Sequence, residues 1–80
     1  MATVHVPSGW TQYTGGVDAI VIDAPRVDAL LRSLTERFPA LASQLEQVAV
    51  AIDGQVFHHA RYEPLRPESD VHLLPPVAGG

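Results

Sequence analysis

One mixed β-sheet of four to five strands with a single main helix packed across one face, an α+β architecture of order ββαββ, is the fold that this sequence predicts. Three observations lead there. Short segments near residues 3–6, 17–23, 48–57 and 70–74 are β-branched or alternate apolar with other residues, the two-residue period of strands. Between them Val27, Leu30, Leu31, Leu34 and Phe38 recur at the spacing of an amphipathic helix. The chain has 80 residues, enough for one small domain and too few for two.

In order along the chain, Val4 and Val6 alternate with Thr3 and His5, and Pro7 closes this first strand. Thr14-Gly15-Gly16 ends a glycine-rich turn region, where positive φ suits a chain reversal. Trp10 and Tyr13 in that region are either caps on the core or contacts for a partner. Val17 to Asp23 reads as the second strand, with Ile20 and Ile22 on one side and Val17, Ala19 and Val21 on the other; its inward face is left open. Pro25 fits a first helical turn and Pro39 disfavours helix at Phe38, framing about 12 to 14 residues with no convincing N-cap. Pro39 to Glu46 is expected to be a loop or short helical turn with Leu41 and Leu45 underneath. Val48, Val50 and Ile52 alternate with Ala49 and Ala51, and Asp53-Gly54 before Gln55-Val56-Phe57 is a type I′ hairpin signal. Arg61 to Ser69, with two prolines, is a loop, and Asp70 to Leu74 alternates again before Pro75. The domain is expected to span 1–75, followed by a tail, 76–80, that ends in Gly-Gly.

Composition excludes several classes. The 24 large aliphatic and Phe or Met side chains and only 18% charged residues exclude a disordered chain. Without cysteine there is no disulfide, thiolate zinc site or thiol nucleophile. Net charge is −4 and the five basic residues are scattered arginines, which argues against a nucleic-acid partner. No apolar run approaches the roughly 20 residues that cross a bilayer, so no membrane partner is expected and the cytoplasm is the expected location.

The ending carries the candidate chemistry. Pro75 and Pro76 stop the sheet and stiffen the exit, so Val77 to Gly80 can project roughly 15 Å from the body. Gly79 and Gly80 have no Cβ, so the last peptide can thread a narrow channel and a nucleophile can reach the terminal carbonyl. The whole segment Asp70-Val71-His72-Leu73-Leu74-Pro75-Pro76-Val77-Ala78-Gly79-Gly80, after a ββαββ pattern, resembles the MoaD/ThiS-type sulfur carriers. Those proteins have a ubiquitin-like β-grasp fold that ends in an acidic-Val-x-Leu/Phe-Leu/Phe-Pro-Pro/Ala-Val-x-Gly-Gly tail. Pro25 to Leu31 looks like the family's helix start, with Arg26 where a capping Thr usually stands. Val6 to Gly16 is more similar to the carriers of thiocarboxylate-dependent cysteine biosynthesis than to molybdopterin synthase small subunits. The stretch before the third strand is shorter here than in those cysteine carriers, and the pathway stays open.

The resemblance implies a co-substrate and not an enzyme, or the small subunit of a molybdopterin-synthase-type enzyme. An E1-like adenylating and sulfurylating partner would use ATP and magnesium to activate the Gly80 carboxylate, with Gly79 giving access. A sulfur-accepting enzyme, of cysteine-synthase or molybdopterin-synthase large-subunit type, would receive the sulfur. The chain itself is expected to bind no cofactor. A ubiquitin-like modifier conjugated through Gly80 is the alternative; the chain has no lysine on which to build side-chain-linked chains of its own. Ala49, Ala51 and Leu74 fall on strand faces opposite the expected core and suggest an apolar docking patch that includes His72, or positions that loops cover. Phe57, Pro76, Val77 and Ala78 complete the expected partner-binding set. Glu63, Glu68 and Asp70 near the tail either complement a basic partner or are merely solvated. His5 and His72 would share an outer face if the first and last strands are neighbours, whereas His58 and His59 are adjacent and diverge. No metal-ligand spacing motif joins them, and no metal is expected.

Overall fold

The computed structural model describes residues 1–46 and 48–75. The expected tail, with Pro76, Val77, Ala78, Gly79 and Gly80, lies outside the described residues.

Five strands form one sheet: β1 (Ala2–His5), β2 (Ala19–Ile22), β3 (Ala49–Ile52), β4 (Gln55–Phe57) and β5 (Asp70–Leu74). Their order is β2-β1-β5-β3-β4. The β1/β5 pair is parallel and the other three neighbouring pairs are antiparallel. Helix α1 (Val27–Arg37) supplies the connection's apolar stripe, and a 3-10 turn (Pro39–Leu41) leads into the four-residue α2 (Ala42–Leu45). Leu30, Leu34 and Leu41 are fully buried with Val4, Val27, Val50 and Val71. Each such leucine contributes about 1.5 to 3 kcal/mol through removal of its apolar surface from water. Leu45 is buried as well, so the segment after Pro39 packs its two leucines underneath as their spacing predicts.

The open question at β2 is answered by burial: Ile20 and Ile22 face the core, and Val17 and Val21 face solvent. The turn region before it contains a 3-10 helix (Ser8–Tyr13) that folds Trp10 into the core. Tyr13 packs half-buried against the same cluster, so both aromatics act as caps on the core. Gly15 and Gly16 both take positive φ, and the buried Thr14 hydroxyl, 2.6 Å from the Val17 carbonyl oxygen, closes the reversal. At the hairpin, Asp53 (φ 50°) and Gly54 (φ 88°) have the two left-handed residues that a type I′ turn needs.

Helix α1 starts two residues later than the position of Pro25 suggests. Arg26 is the N-cap residue and makes no capping hydrogen bond with its side chain. The exposed helix donors are satisfied from the loop before β5: Val27 N–H donates to the Glu63 carbonyl (3.1 Å) and Asp28 N–H to the Arg61 carbonyl (2.8 Å). Leu65 N–H returns the contact to the Pro25 carbonyl at 2.9 Å. At the other end the Phe38 N–H bonds the Leu34 carbonyl, and Pro39, which has no N–H to donate, follows.

The β3–β4 turn is tied to the start of β5 by Asp53. Its Oδ1 accepts the Asp70 N–H at 2.9 Å, its Oδ2 accepts from Arg66 at 3.2 Å, and its own N–H donates to the Asp70 carbonyl. These contacts, the Asp70 backbone N–H first and the Arg66 side chain next, hold the Asp53 carboxyl below the ordinary carboxylate range.

Two predictions follow from this packing. Val50 is 1% exposed between the leucines of α1 and the neighbouring strands, so Val50→Asp should abolish folding, read as loss of the native circular dichroism spectrum; an unchanged thermal midpoint would refute the core assignment. Because the folded-state pKa of Asp53 is depressed, its stabilisation is complete above the unfolded pKa and disappears as pH falls through the folded one. The thermal midpoint of wild type should therefore exceed that of Asp53→Asn at pH 7, and the gap should close as pH falls through the depressed folded-state pKa of Asp53. A gap that stays constant as the solution is acidified would show that the carboxylate charge is not what the clamp uses.

Candidate functional site

Strand β5 lies in the middle of the sheet, with β1 on one side and β3 on the other. It is the last described element, and the chain leaves from its Leu74-Pro75 end. Direct register pairs share a face, so Ala49, paired with Leu74, and Ala51, paired with His72, lie together on the face away from α1. Leu74, Ala49 and Ala51 are half-buried and His72 is exposed. The expected patch is thus one continuous surface next to the chain's exit. Val56, directly paired with Ala51, extends it at 52% exposure.

Phe57 belongs elsewhere. It pairs with Val50, whose side chain is in the core, and packs half-buried against that core. The alternation of β4 therefore gives Val56 to the outer face and Phe57 to the helix side. The sequence signal for this was the hairpin register itself: with a two-residue turn, Ile52 must pair Gln55 and Val50 must pair Phe57.

His5 and His72 are directly paired on β1 and β5, as the neighbouring-strand condition required. Their rings stack with centroids 4.3 Å apart and 13° between planes. His5 Nε2 lies 2.9 Å from Asp70 Oδ1. Asp70 is thus held by its own sheet neighbours at the side chain and by Asp53 at the backbone. Glu63 gives its carbonyl to the helix, and Glu68 is exposed. Among the described residues no group of three or more His, Asp or Glu side chains is placed to hold one metal ion. Among them, too, no helix is long and apolar enough to cross a membrane.

The Gly79-Gly80 end, the proposed reacting group, lies six residues beyond Leu74 in sequence and outside the described residues. What the described part provides is the position from which it departs.

Comparisons with known proteins agree with this architecture. No curated protein matches the chain. Among solved structures, one similar chain is from the Amycolatopsis orientalis BexX/CysO complex, at 19% identity and TM-score 0.85, with 100% of both chains covered. The small archaeal modifier protein 1 of Methanosarcina acetivorans is similar at 21% identity and TM-score 0.85, over 99% of this chain and 95% of that one. A third is from the complex of subunits 1 and 2 of the Helicobacter pylori molybdopterin-converting factor, at 23% identity and TM-score 0.68, over 99% and 97%. At such identities the likeness establishes the fold, which is the ubiquitin-like β-grasp. The model of the ThiS family matches residues 11–80, from the first turn region through the final Gly-Gly. The chain therefore belongs to the ThiS family, the MoaD/ThiS-type small ubiquitin-like sulfur carriers that its ending resembles.

Proposed function

We propose that this chain carries sulfur as a thiocarboxylate on Gly80, loaded by an adenylating partner and delivered to a biosynthetic enzyme. The observation that carries the reading is the family match running through Gly79-Gly80, on the segment that continues from the central strand. A carboxylate is ionised at neutral pH and is a poor electrophile, so it has to be activated before sulfur can be attached. A Gly80 oxygen attacks the α-phosphorus of magnesium-bound ATP, pyrophosphate leaves, and an acyl adenylate results. Hydrosulfide adds to the activated carbonyl and expels AMP, leaving the thiocarboxylate. With a protein persulfide as donor, an acyl disulfide forms first; a second thiol attacks the donor's sulfur, releasing the thiocarboxylate and a disulfide. The thioacid anion is then a soft nucleophile in the manner of a thiolate. None of these steps asks the domain for a nucleophilic side chain, which fits a chain without cysteine.

The receiving enzyme is of cysteine-synthase or molybdopterin-synthase large-subunit type. The likeness to CysO beside BexX and to molybdopterin-converting factor subunits in complex supports a carrier that works by docking on an enzyme. The likeness to an archaeal modifier protein supports a second reading, conjugation of Gly80 to partner lysines. Mass spectrometry separates the two: exchange of oxygen for sulfur adds about 16 Da to the free chain, and conjugation gives isopeptide adducts.

Deleting Gly80, or adding one residue after it, should abolish thiocarboxylate formation by the adenylating partner while leaving the circular dichroism spectrum unchanged, because the tail follows the last strand. Undiminished loading of either variant would remove Gly80 from the mechanism. Leu74→Glu should keep the fold and weaken calorimetric binding to that partner by more than about 1 kcal/mol, since a charge would be desolvated in the contact. Unchanged affinity would move docking away from the outer sheet face.

A further inference from the structure

Across the outer face runs one row of directly registered residues, Ala19, His5, His72 and Ala51, on β2, β1, β5 and β3. The two imidazoles stand side by side in the middle of it, stacked at 4.3 Å between centroids. Both neighbours in the row are alanines, so no bulky or cationic side chain stands beside the rings along it. The His5 side chain is 36% exposed, and no hydrogen bond engages either ring nitrogen of His72 among the described residues. The sulfur chemistry on the tail uses neither ring.

We infer that His5 and His72 form a binding site for a divalent transition-metal ion, with Asp70 as the carboxylate that orients His5. Two neutral imidazoles from neighbouring strands are a chelate fixed by the sheet, so only side-chain torsions remain to be ordered when an ion binds. Metal–imidazole bonds are about 2.0 to 2.1 Å long, so one ion can bridge nitrogens up to about 4 Å apart. The ring centroids are 4.3 Å apart, so the rings have to tilt toward each other to bring two nitrogens inside that limit. Parallel rings direct their lone pairs along parallel lines, so both rings must turn out of the stack toward each other, by a few tens of degrees about the soft Cβ–Cγ bonds, for one ion to be held by both.

Asp70 Oδ1, 2.9 Å from His5 Nε2, fits the pattern in which a carboxylate takes one imidazole N–H and leaves the other nitrogen free to ligate. It also places a negative charge next to the cation. With two protein ligands the remaining positions belong to water, and the flanking alanines leave room for it. Imidazole donors favour copper, nickel and zinc over magnesium and calcium, and affinity should be greatest for Cu²⁺. Such a site lies on sheet-borne side chains and is independent of the sulfur reading.

The test is calorimetric titration of the full chain with Cu²⁺, Ni²⁺ and Zn²⁺ chloride in a non-coordinating buffer at pH 7.4, with circular dichroism to confirm that each variant is folded. One ion per chain is expected, with affinity in the order Cu²⁺ above Ni²⁺ and Zn²⁺. His5→Gln and His72→Gln should each weaken binding at least tenfold. Asp70→Asn should weaken it about 10-fold, as removal of a supporting carboxylate does. A His58→Gln/His59→Gln variant should bind as wild type does. Lowering the pH to 5.5 should weaken binding in wild type, because protons compete for the same nitrogens. In a copper titration followed by NMR, the amides of His5, His72, Ala19 and Ala51 should broaden first. Absence of one-to-one binding by any of the three ions would overturn the inference. So would binding that survives the His5→Gln/His72→Gln double variant, or that is lost in the His58/His59 variant.

Discussion

The position of β5 between β1 and β3 is the constraint on which the rest of this small domain depends. A strand in mid-sheet is hydrogen-bonded along both edges, and its inward residues, Val71 and Leu73, are almost completely excluded from water. Its parallel pairing with β1 cannot be made by a tight turn; it requires a long connection, and nearly all the intervening sequence serves as that connection. The helix, the short turns after it and the β3–β4 hairpin are packed inside that excursion. Because the chain leaves from this central strand, the point of departure of its last residues is held by the whole sheet.

Two sets of backbone contacts fix β5 in register. The Asp53 clamp joins the hairpin turn to the first residue of β5, while Thr3 N–H donates to the Ser69 carbonyl from the other side at 3.0 Å. Just before it, the loop from Arg61 to Leu65 gives two carbonyls to the N-terminus of α1 and takes one from Pro25. A helix without a side-chain cap and a loop without regular structure thereby satisfy each other's polar groups. Neither is well described alone: the loop's conformation is the helix's cap, and the helix start is the loop's anchor.

This reciprocity explains what was legible in the sequence. Signals with short range were readable. Asp53-Gly54 dictated its turn, Thr14-Gly15-Gly16 its reversal, and the leucines of α1 their stripe, because each depends on residues within a few positions. The start of α1 was not readable to the residue. Its first donors are met by Arg61 and Glu63, more than thirty positions away, so local rules put Pro25 inside a helix that begins at Val27. The side of the sheet that Phe57 takes was not legible for a related reason. Its place on the helix side follows from pairing with Val50, and a three-residue edge strand has too little alternation to declare its inward face by itself. The outer face around Ala49, Ala51, His72 and Leu74 was readable because those strands alternate cleanly. The stacking of His5 on His72 needed the parallel β1/β5 pairing, which no local pattern encodes.

The distribution of polar chemistry over the fold then bears on how a carrier of this kind works. If the reacting group is a main-chain terminus, it cannot be tuned by a neighbouring side chain of the domain, and selectivity has to come from how the domain is held. An extended tail loses about 1 to 2 kcal/mol of backbone entropy per residue when it is threaded into a channel, so four residues of contact are largely offset by their own ordering. A preformed sheet face has no such cost. Alanines at 49 and 51 keep that face low and even, so a partner can approach the sheet closely, and Leu74 and Val56 add apolar area at its margins. The two imidazoles at its centre, with Asp70 and Thr3 on the same face, introduce polar groups into an otherwise apolar surface. A face of small apolar residues gives affinity with little discrimination, so on a face of this kind it is the polar groups that a partner has to match.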